Sequence, residues 1–264
     1  MPGAIYATAP TAAAVARAAT PTKAVQNIAV LAQPPAAQTH VAVLQTVSLK
    51  PAAAPALDRD IRSEAPHAFG DVEAEAVRYA GGPCSTDIYR IAWAAADLFR
   101  IEPVFVAALI EVESGCHSDA VSVAGARGLM QLVPASGARE GYRFMHGTDR
   151  KPTLAEQHDP ATNIQLGVAY LGALQDHFSY IDASMPRLVL VIAAYNCGPD
   201  FIDQRLPPEA QAWNAEQAAH WVSHNAPAET RAFVDAVMRK AALYSSAAMT
   251  ARTTLVASSR SLSP

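Results

Sequence analysis

Three cysteines, 7% aromatic residues and the lack of any long apolar run set the first limits on this 264-residue chain. No stretch approaches the roughly 18 consecutive apolar residues that a membrane-spanning helix needs. There is no paired C-x-x-C, no phosphate-binding glycine loop and no G-x-S-x-G elbow, so the sequence gives no sign of redox-dithiol, nucleotide or serine-hydrolase chemistry. Positive charge is also short. Lys and Arg number 20 against 24 Asp and Glu, a formal charge of −4. Nucleic acid is thereby excluded as the main partner, because neutralising phosphates takes a basic face. Met1–Ala19 is alanine-rich but weakly apolar, broken by Pro2 and Pro10, with no positive charge before Arg17. That is not the basic, then apolar, then small-residue order of an export signal. The first cysteine is Cys84, so no lipid-anchor cysteine stands near the start.

What is present divides along the chain. Residues 1–80 alternate Pro, Ala, Thr and Val without helical period, as in SLKPAAAPALDRD. Such a composition cannot bury enough large side chains to offset the entropy of ordering, and it predicts a disordered arm. From residue 81 the pattern becomes helical with clear punctuation. Ser85 is placed to cap a helix whose apolar face carries Ile88, Ile91, Ala92, Ala95, Leu98 and Phe99. Pro103 suits the first position of a second helix, VFVAALIEVES, and Gly115 its left-handed stop. Asp159–Pro160 opens a third, Pro186 opens the apolar run RLVLVIAAYN, and a last helix starts near Pro227. The expectation is one all-α domain over residues 81–246 and a flexible Ser/Thr-rich tail over 247–264.

Three segments of this domain carry side chains suited to chemistry. Glu113 ends a strongly apolar helix, and a carboxyl at the edge of a core is held protonated, as a general acid near neutral pH must be. Gln131 is the one long polar group in GLMQLV, so it must find partners or face a ligand. Tyr195 and Asn196 end the apolar helix from Pro186. Taken singly, each has a plain alternative: a solvated glutamate, a core tyrosine, a helix-capping asparagine.

Taken in order they are far more specific. Glu113-Ser114, then Ala120, Ser122, Gly125-Ala126, Gly128-Leu129-Met130-Gln131, and later Ala194-Tyr195-Asn196 with Gly198, resemble the soluble lytic transglycosylase and goose-type lysozyme-like family. DPATNIQLGVAYL between them resembles another stretch of that family, and the likeness covers residues 84–245. The spacing and the later SHNAPAETRAFVDAV are most similar to the membrane-bound lytic transglycosylase C subgroup, whose lipid-anchor cysteine this sequence lacks. The resemblance implies a lysozyme-like transglycosylase domain acting on peptidoglycan glycan strands in the periplasm or cell envelope. It implies that Glu113 protonates the MurNAc–GlcNAc β-1,4 oxygen and then, as carboxylate, deprotonates the muramic 6-hydroxyl to close a 1,6-anhydro ring. Ser114, Met130, Gln131, Tyr195 and Asn196 would bind substrate, with Tyr195 hydrogen-bonded to Glu113, while Ser122, Gly128 and Gly198 would shape the backbone. No cofactor and no metal are implied. No acidic residue lies within GARGLMQ or AYNCG, which favours ring closure over hydrolysis by a carboxylate pair. A lysozyme-type hydrolase, a non-catalytic glycan-binding module, and a secretion- or division-complex component docked through residues 1–80 are the competing readings.

Cys84 starts one helix of an expected antiparallel hairpin and Cys116 follows the other, which predicts a disulfide beside Glu113 and an oxidising compartment. Free thiols, or Cys197 pairing with Cys116 instead, stay open at this point. His220 and His224 stand at i, i+4, but Trp221 occupies the place of the metalloprotease glutamate, so solvated histidines are expected.

Overall fold

The structure, a computed structural model, describes residues 68–261. Its elements are α1 (Ala68–Tyr79), α2 (Thr86–Leu98), α3 (Pro103–Ser114), α4 (Gly137–His146), α5 (Leu154–His158), α6 (Pro160–His177), α7 (Ser184–Cys197), α8 (Pro199–Asp203), a 3-10 turn (Pro208–Ala212), α9 (Ala215–Asn225) and α10 (Ala228–Ser261). Among the described residues, strand-like pairing is limited to two isolated bridges, Val121 with Arg127 and Arg127 with Leu132. No described helix is long and apolar enough to cross a membrane.

The helix starts follow from side chains that satisfy orphan N–H groups. Ser85 accepts from the Ile88 amide, Asp159 accepts from Thr162, and Thr153 and Asn214 each form a reciprocal capping box. Gly115 ends α3 at φ 58°, the left-handed conformation glycine adopts without penalty. One start differs from expectation. Helix α7 begins at Ser184, so Pro186 lies inside its first turn, where a missing N–H costs nothing.

Helices α3, α6 and α7 form the centre. Val104 and Val106–Ile110 of α3 and Leu188–Ala194 of α7 are buried on every side, as expected of helices that are apolar all round. Helix α6 packs against α2, α4, α5 and α7, and α10 lies across α1, α3 and α7. On α2 the buried face is Tyr89, Ala92, Trp93, Ala95 and Ala96. The expected Ile88, Ile91 and Leu98 lie at its edge, because two aromatic rings turn the helix toward α1 and α10.

Two expectations about the ends need correcting. Residues 68–79, assigned to the arm, are helix α1, and the tail from 247 continues α10 as helix to Ser261. Each end holds the other. Glu73, only 5% exposed, accepts from the Trp93 indole at 2.9 Å and from the Arg252 guanidinium. A charge so deeply buried persists because it is paired. The rest of the arm, residues 1–67, lies outside the described residues.

Candidate active site

Glu113 occupies the last turn of α3, half-buried, where the helix leaves the core. Its carboxyl sits well above the usual carboxylate range, first because burial penalises the charged form and second because the charge of Glu229 lies nearby. A shift in this direction favours the protonated form, which a general acid needs.

The chain then turns sharply. Gly115 and Cys116 take φ values of 58° and 73°, and the Ser114 hydroxyl donates to the Ile110 carbonyl at 3.0 Å while accepting from the Cys116 amide at 3.2 Å. Ser114, expected at the substrate, uses its hydroxyl to shape this corner. Cys116 is joined to Cys84 by a disulfide with Cα atoms 5.2 Å apart, and Cys197 is a free thiol. Burial pushes that thiol up to about 11, so it is inert as a nucleophile near neutral pH.

Residues 117–132 form a loop tied to itself. The Ser122 hydroxyl accepts from the Ala126 amide at 3.0 Å, the Gly128 amide donates to Ala120, and Arg127 and Leu132 exchange backbone bonds. Gly128 is at φ 75°, and a Cβ there would come within 2.3 Å of the Asn163 amide nitrogen, so nothing larger than glycine fits. Gln131 is held at φ 43°, a conformation uncommon for a non-glycine residue and often found at functional sites. Its side-chain amide donates to the carbonyls of Ala120 and Gly128, which leaves its carbonyl oxygen to offer a ligand.

Met130, expected at the substrate, turns its side chain into the core. Its side chain is fully buried, with sulfur in the notch left by Gly167, because a thioether gains by filling an apolar gap. What Met130 gives the site is backbone. Its carbonyl accepts from the Tyr195 hydroxyl at 2.7 Å, and its amide donates to Asn163 Oδ1 at 2.8 Å. Tyr195, expected to bond to Glu113, thus has its one proton committed to Met130. It lies within electrostatic reach of Glu113, since burial and then that carboxylate push the phenol well above its ordinary value. A phenol with its proton spent can present only lone pairs to Glu113, which again favours the protonated acid. Asn196 Oδ1 accepts from the Thr230 hydroxyl at 2.7 Å, which fixes the start of α10 to the end of α7, and Gly198 closes α7 at φ 86°.

Three positions that support the site lie in stretches the sequence reading quoted but were not singled out there. Asn163, with no exposed surface, donates to the carbonyls of Arg127 and Gln157 and accepts from Met130. Its signal was a lone amide in the apolar stripe of α6. Replacing Asn163 by Ala takes this partner from the Met130 amide and the Gln157 carbonyl, while the Arg127 carbonyl keeps its bond from Leu132, and is expected to cost about 2–3 kcal/mol, read as a lower urea midpoint at unchanged slope. Glu229 and Thr230 gave no local signal, since an acidic residue in a first helical turn is ordinary capping. Among the described residues no group of three or more His, Cys, Asp or Glu is placed to hold a metal. His220 and His224 stack at 4.2 Å on an exposed face of α9.

Residues 91–214 match the family described as Transglycosylase SLT domain. Over 102 residues the chain is 32% identical to membrane-bound lytic murein transglycosylase E of Buchnera aphidicola subsp. Acyrthosiphon pisum, covering 38% of this chain and 46% of that protein. Over 101 residues it is 37% identical to membrane-bound lytic murein transglycosylase C of Actinobacillus pleuropneumoniae, covering 38% and 27%. It spans less than half the length of these curated relatives. Among solved structures, an inactive mutant of the lytic transglycosylase Slt from Pseudomonas aeruginosa superposes with a TM-score of 0.47 at 25% identity, covering 70% of this chain and 31% of that one.

Proposed function

We propose that this chain, whose residues 91–214 match the Transglycosylase SLT domain, is a peptidoglycan lytic transglycosylase that uses Glu113 as both acid and base. The observation that carries this reading is the half-buried carboxyl of Glu113 at the end of α3, which burial pushes above the usual carboxylate range, backed by the Gln131 loop and by Tyr195. In the proposed reaction Glu113 gives its proton to the oxygen leaving as the 4-hydroxyl of GlcNAc. The acetamido oxygen of MurNAc closes on C1 as that bond breaks, forming an oxazolinium. Glu113, now a carboxylate, takes the proton of the muramic 6-hydroxyl, and the freed O6 attacks C1 and reopens the oxazolinium. The acid is regenerated and no water is consumed, as microscopic reversibility permits for one carboxyl serving two steps.

Glu229 supports a second reading. A carboxylate close to Glu113 is what a two-carboxylate hydrolase would need, as base or nucleophile. Digestion of purified sacculi separates the two. Anhydro-muropeptides favour the transglycosylase, and products one water heavier, with reducing ends, favour the hydrolase. No release from folded protein leaves a glycan-binding module. The relatives named membrane-bound and the Cys84–Cys116 disulfide support action in the cell envelope, where thiols oxidise. Docking of the arm to a secretion or division complex belongs to the same proposal. Deleting residues 1–67 would leave α1 in place and is expected to abolish capture of such a complex, and unchanged capture contradicts that role.

A further inference from the structure

We propose that Glu111 is a positioning residue for the acid: with Tyr244, Tyr89 and the Cys84–Cys116 bridge it closes a ring of bonds round the last turn of α3 and holds Glu113 in place for proton transfer. The inference deepens the reading above and rests on it for the kinetic half of its test.

The ring can be followed link by link. Glu111 stands two residues before Glu113 and faces another side of α3, because each residue turns the helix by about 100°. Its side chain is 14% exposed, and both carboxylate oxygens are taken by α10. Oε1 accepts from the Lys240 ammonium and Oε2 from the Tyr244 hydroxyl. Tyr244 meets Tyr89 of α2 edge-on, ring centroids 6.3 Å apart, with the two hydroxyls hydrogen-bonded. The Tyr89 oxygen accepts from the Cys84 amide at 3.3 Å. The disulfide carries the ring to Cys116, whose amide donates to the Ser114 hydroxyl, which donates in turn to the Ile110 carbonyl. The Glu111 carbonyl accepts from the Gly115 amide at 2.9 Å, so the ring returns to the residue it started from. Glu113 lies on the stretch of helix between these last links.

The links are kept out of water. Tyr89, Tyr244 and Cys84 are all buried, and a Cβ on Gly82 would fall 2.2 Å from the Tyr89 oxygen. The chain entering α2 therefore closes directly over that hydroxyl. A buried polar group that loses its partner suffers its full desolvation cost, so these side chains stay bonded rather than swing free. The turn they enclose needs such ties. It is the end of a helix, where the last carbonyls lack intrahelical partners, and it runs into two consecutive residues with positive φ. A ring restrains only while it is closed. The hydroxyl chain and the disulfide are therefore coupled, and opening either one releases the same turn.

The test is a double-mutant cycle on the full chain, combining Tyr244→Phe, which removes one hydroxyl and keeps the packing of its ring, with Cys84→Ser and Cys116→Ser. In urea unfolding, Tyr244→Phe is expected to lower the midpoint more in the bridged protein than in the unbridged one, whereas independent sites would add. On solubilised peptidoglycan, Tyr244→Phe and Glu111→Leu are each expected to lower kcat by about 10–100-fold with KM little changed, the scale of a displaced catalytic group. Glu111→Gln, whose amide can still meet both partners, should keep most of the rate. In the unbridged protein Tyr244→Phe should lower kcat little further. If Glu111→Leu does not fold, Tyr244→Phe decides. Additive effects of the two changes, in unfolding or in kcat, overturn the proposal, as does a loss of rate carried by KM or matched by the loss of folded protein. A wild type that releases nothing counts against the transglycosylase reading, and the unfolding cycle then decides this proposal alone.

Discussion

Glu113→Gln is expected to lower turnover on peptidoglycan by about a thousandfold or more, since acid or base catalysis each contributes roughly 10²–10⁴-fold and in the proposed reaction one carboxyl performs both. Binding of glycan strands should change little, because the amide keeps the shape of the acid. The same substitution should make the protein more stable at neutral pH. The carboxyl of Glu113 is raised in the folded state, by burial first and Glu229 second. The unfolded chain releases that proton near pH 4.3, the ordinary value for a glutamate. Between that value and the higher folded one the native state binds more protons, so native stability falls as pH rises. A neutral glutamine escapes this loss. The thermal midpoint of Glu113→Gln should therefore exceed that of wild type at pH 7, with the gap closing below about pH 4. A scan of both proteins across pH checks it. A variant that is less stable at pH 7 would mean that the glutamate side chain contributes to folding.

The second large effect concerns the bridge behind the acid. Cys84 and Cys116 are 32 residues apart in sequence, and cross-linking a loop of that length restricts the unfolded chain by about 3–4 kcal/mol. Opening it, by reductant or by Cys84→Ser with Cys116→Ser, is expected to lower the thermal midpoint by about 8–15 °C in a domain of this size. Cys116 stands two residues beyond Ser114 with a left-handed backbone that a non-glycine residue adopts only when held. Loss of the bridge should therefore also raise the mobility of the corner next to Glu113. Calorimetry and turnover, each with and without reductant, separate the two consequences. An unchanged midpoint after complete reduction would show that packing alone holds this corner.

How legible these features were depends on how local their causes are. Helix α3 could be bounded from Pro103 and Gly115 because both act within one turn of themselves. The caps at Ser85 and Asp159 were readable for the same reason. Helix α1 was hidden because what orders it is remote. Glu73 finds Arg252 at the other end of the described chain, and AFGDVEAEAVRY was read with the Pro/Ala-rich stretch that precedes it. The Ser/Thr-rich end of α10 misled in the mirror-image way. Glu113 was visible as a carboxyl ending an apolar helix, but the partners that tune it were not. Tyr195 was expected to hydrogen-bond Glu113, and giving its hydroxyl proton to the Met130 carbonyl leaves its oxygen only an acceptor's part in such a bond. Met130 was assigned to substrate, although only Gly167 in the facing helix reveals that its side chain points inward. Glu229 lies on a helix whose crossing of α3 is a tertiary fact.

In the proposed reaction one carboxyl cleaves the glycan without water. Digestion of purified sacculi in heavy-oxygen water, with wild type and Glu113→Gln and with products weighed by mass spectrometry, tests it most directly. Anhydro-muropeptides free of heavy oxygen from wild type, and none from the variant, are the predicted result. Heavy oxygen at reducing MurNAc ends would contradict the account and make the enzyme a hydrolase.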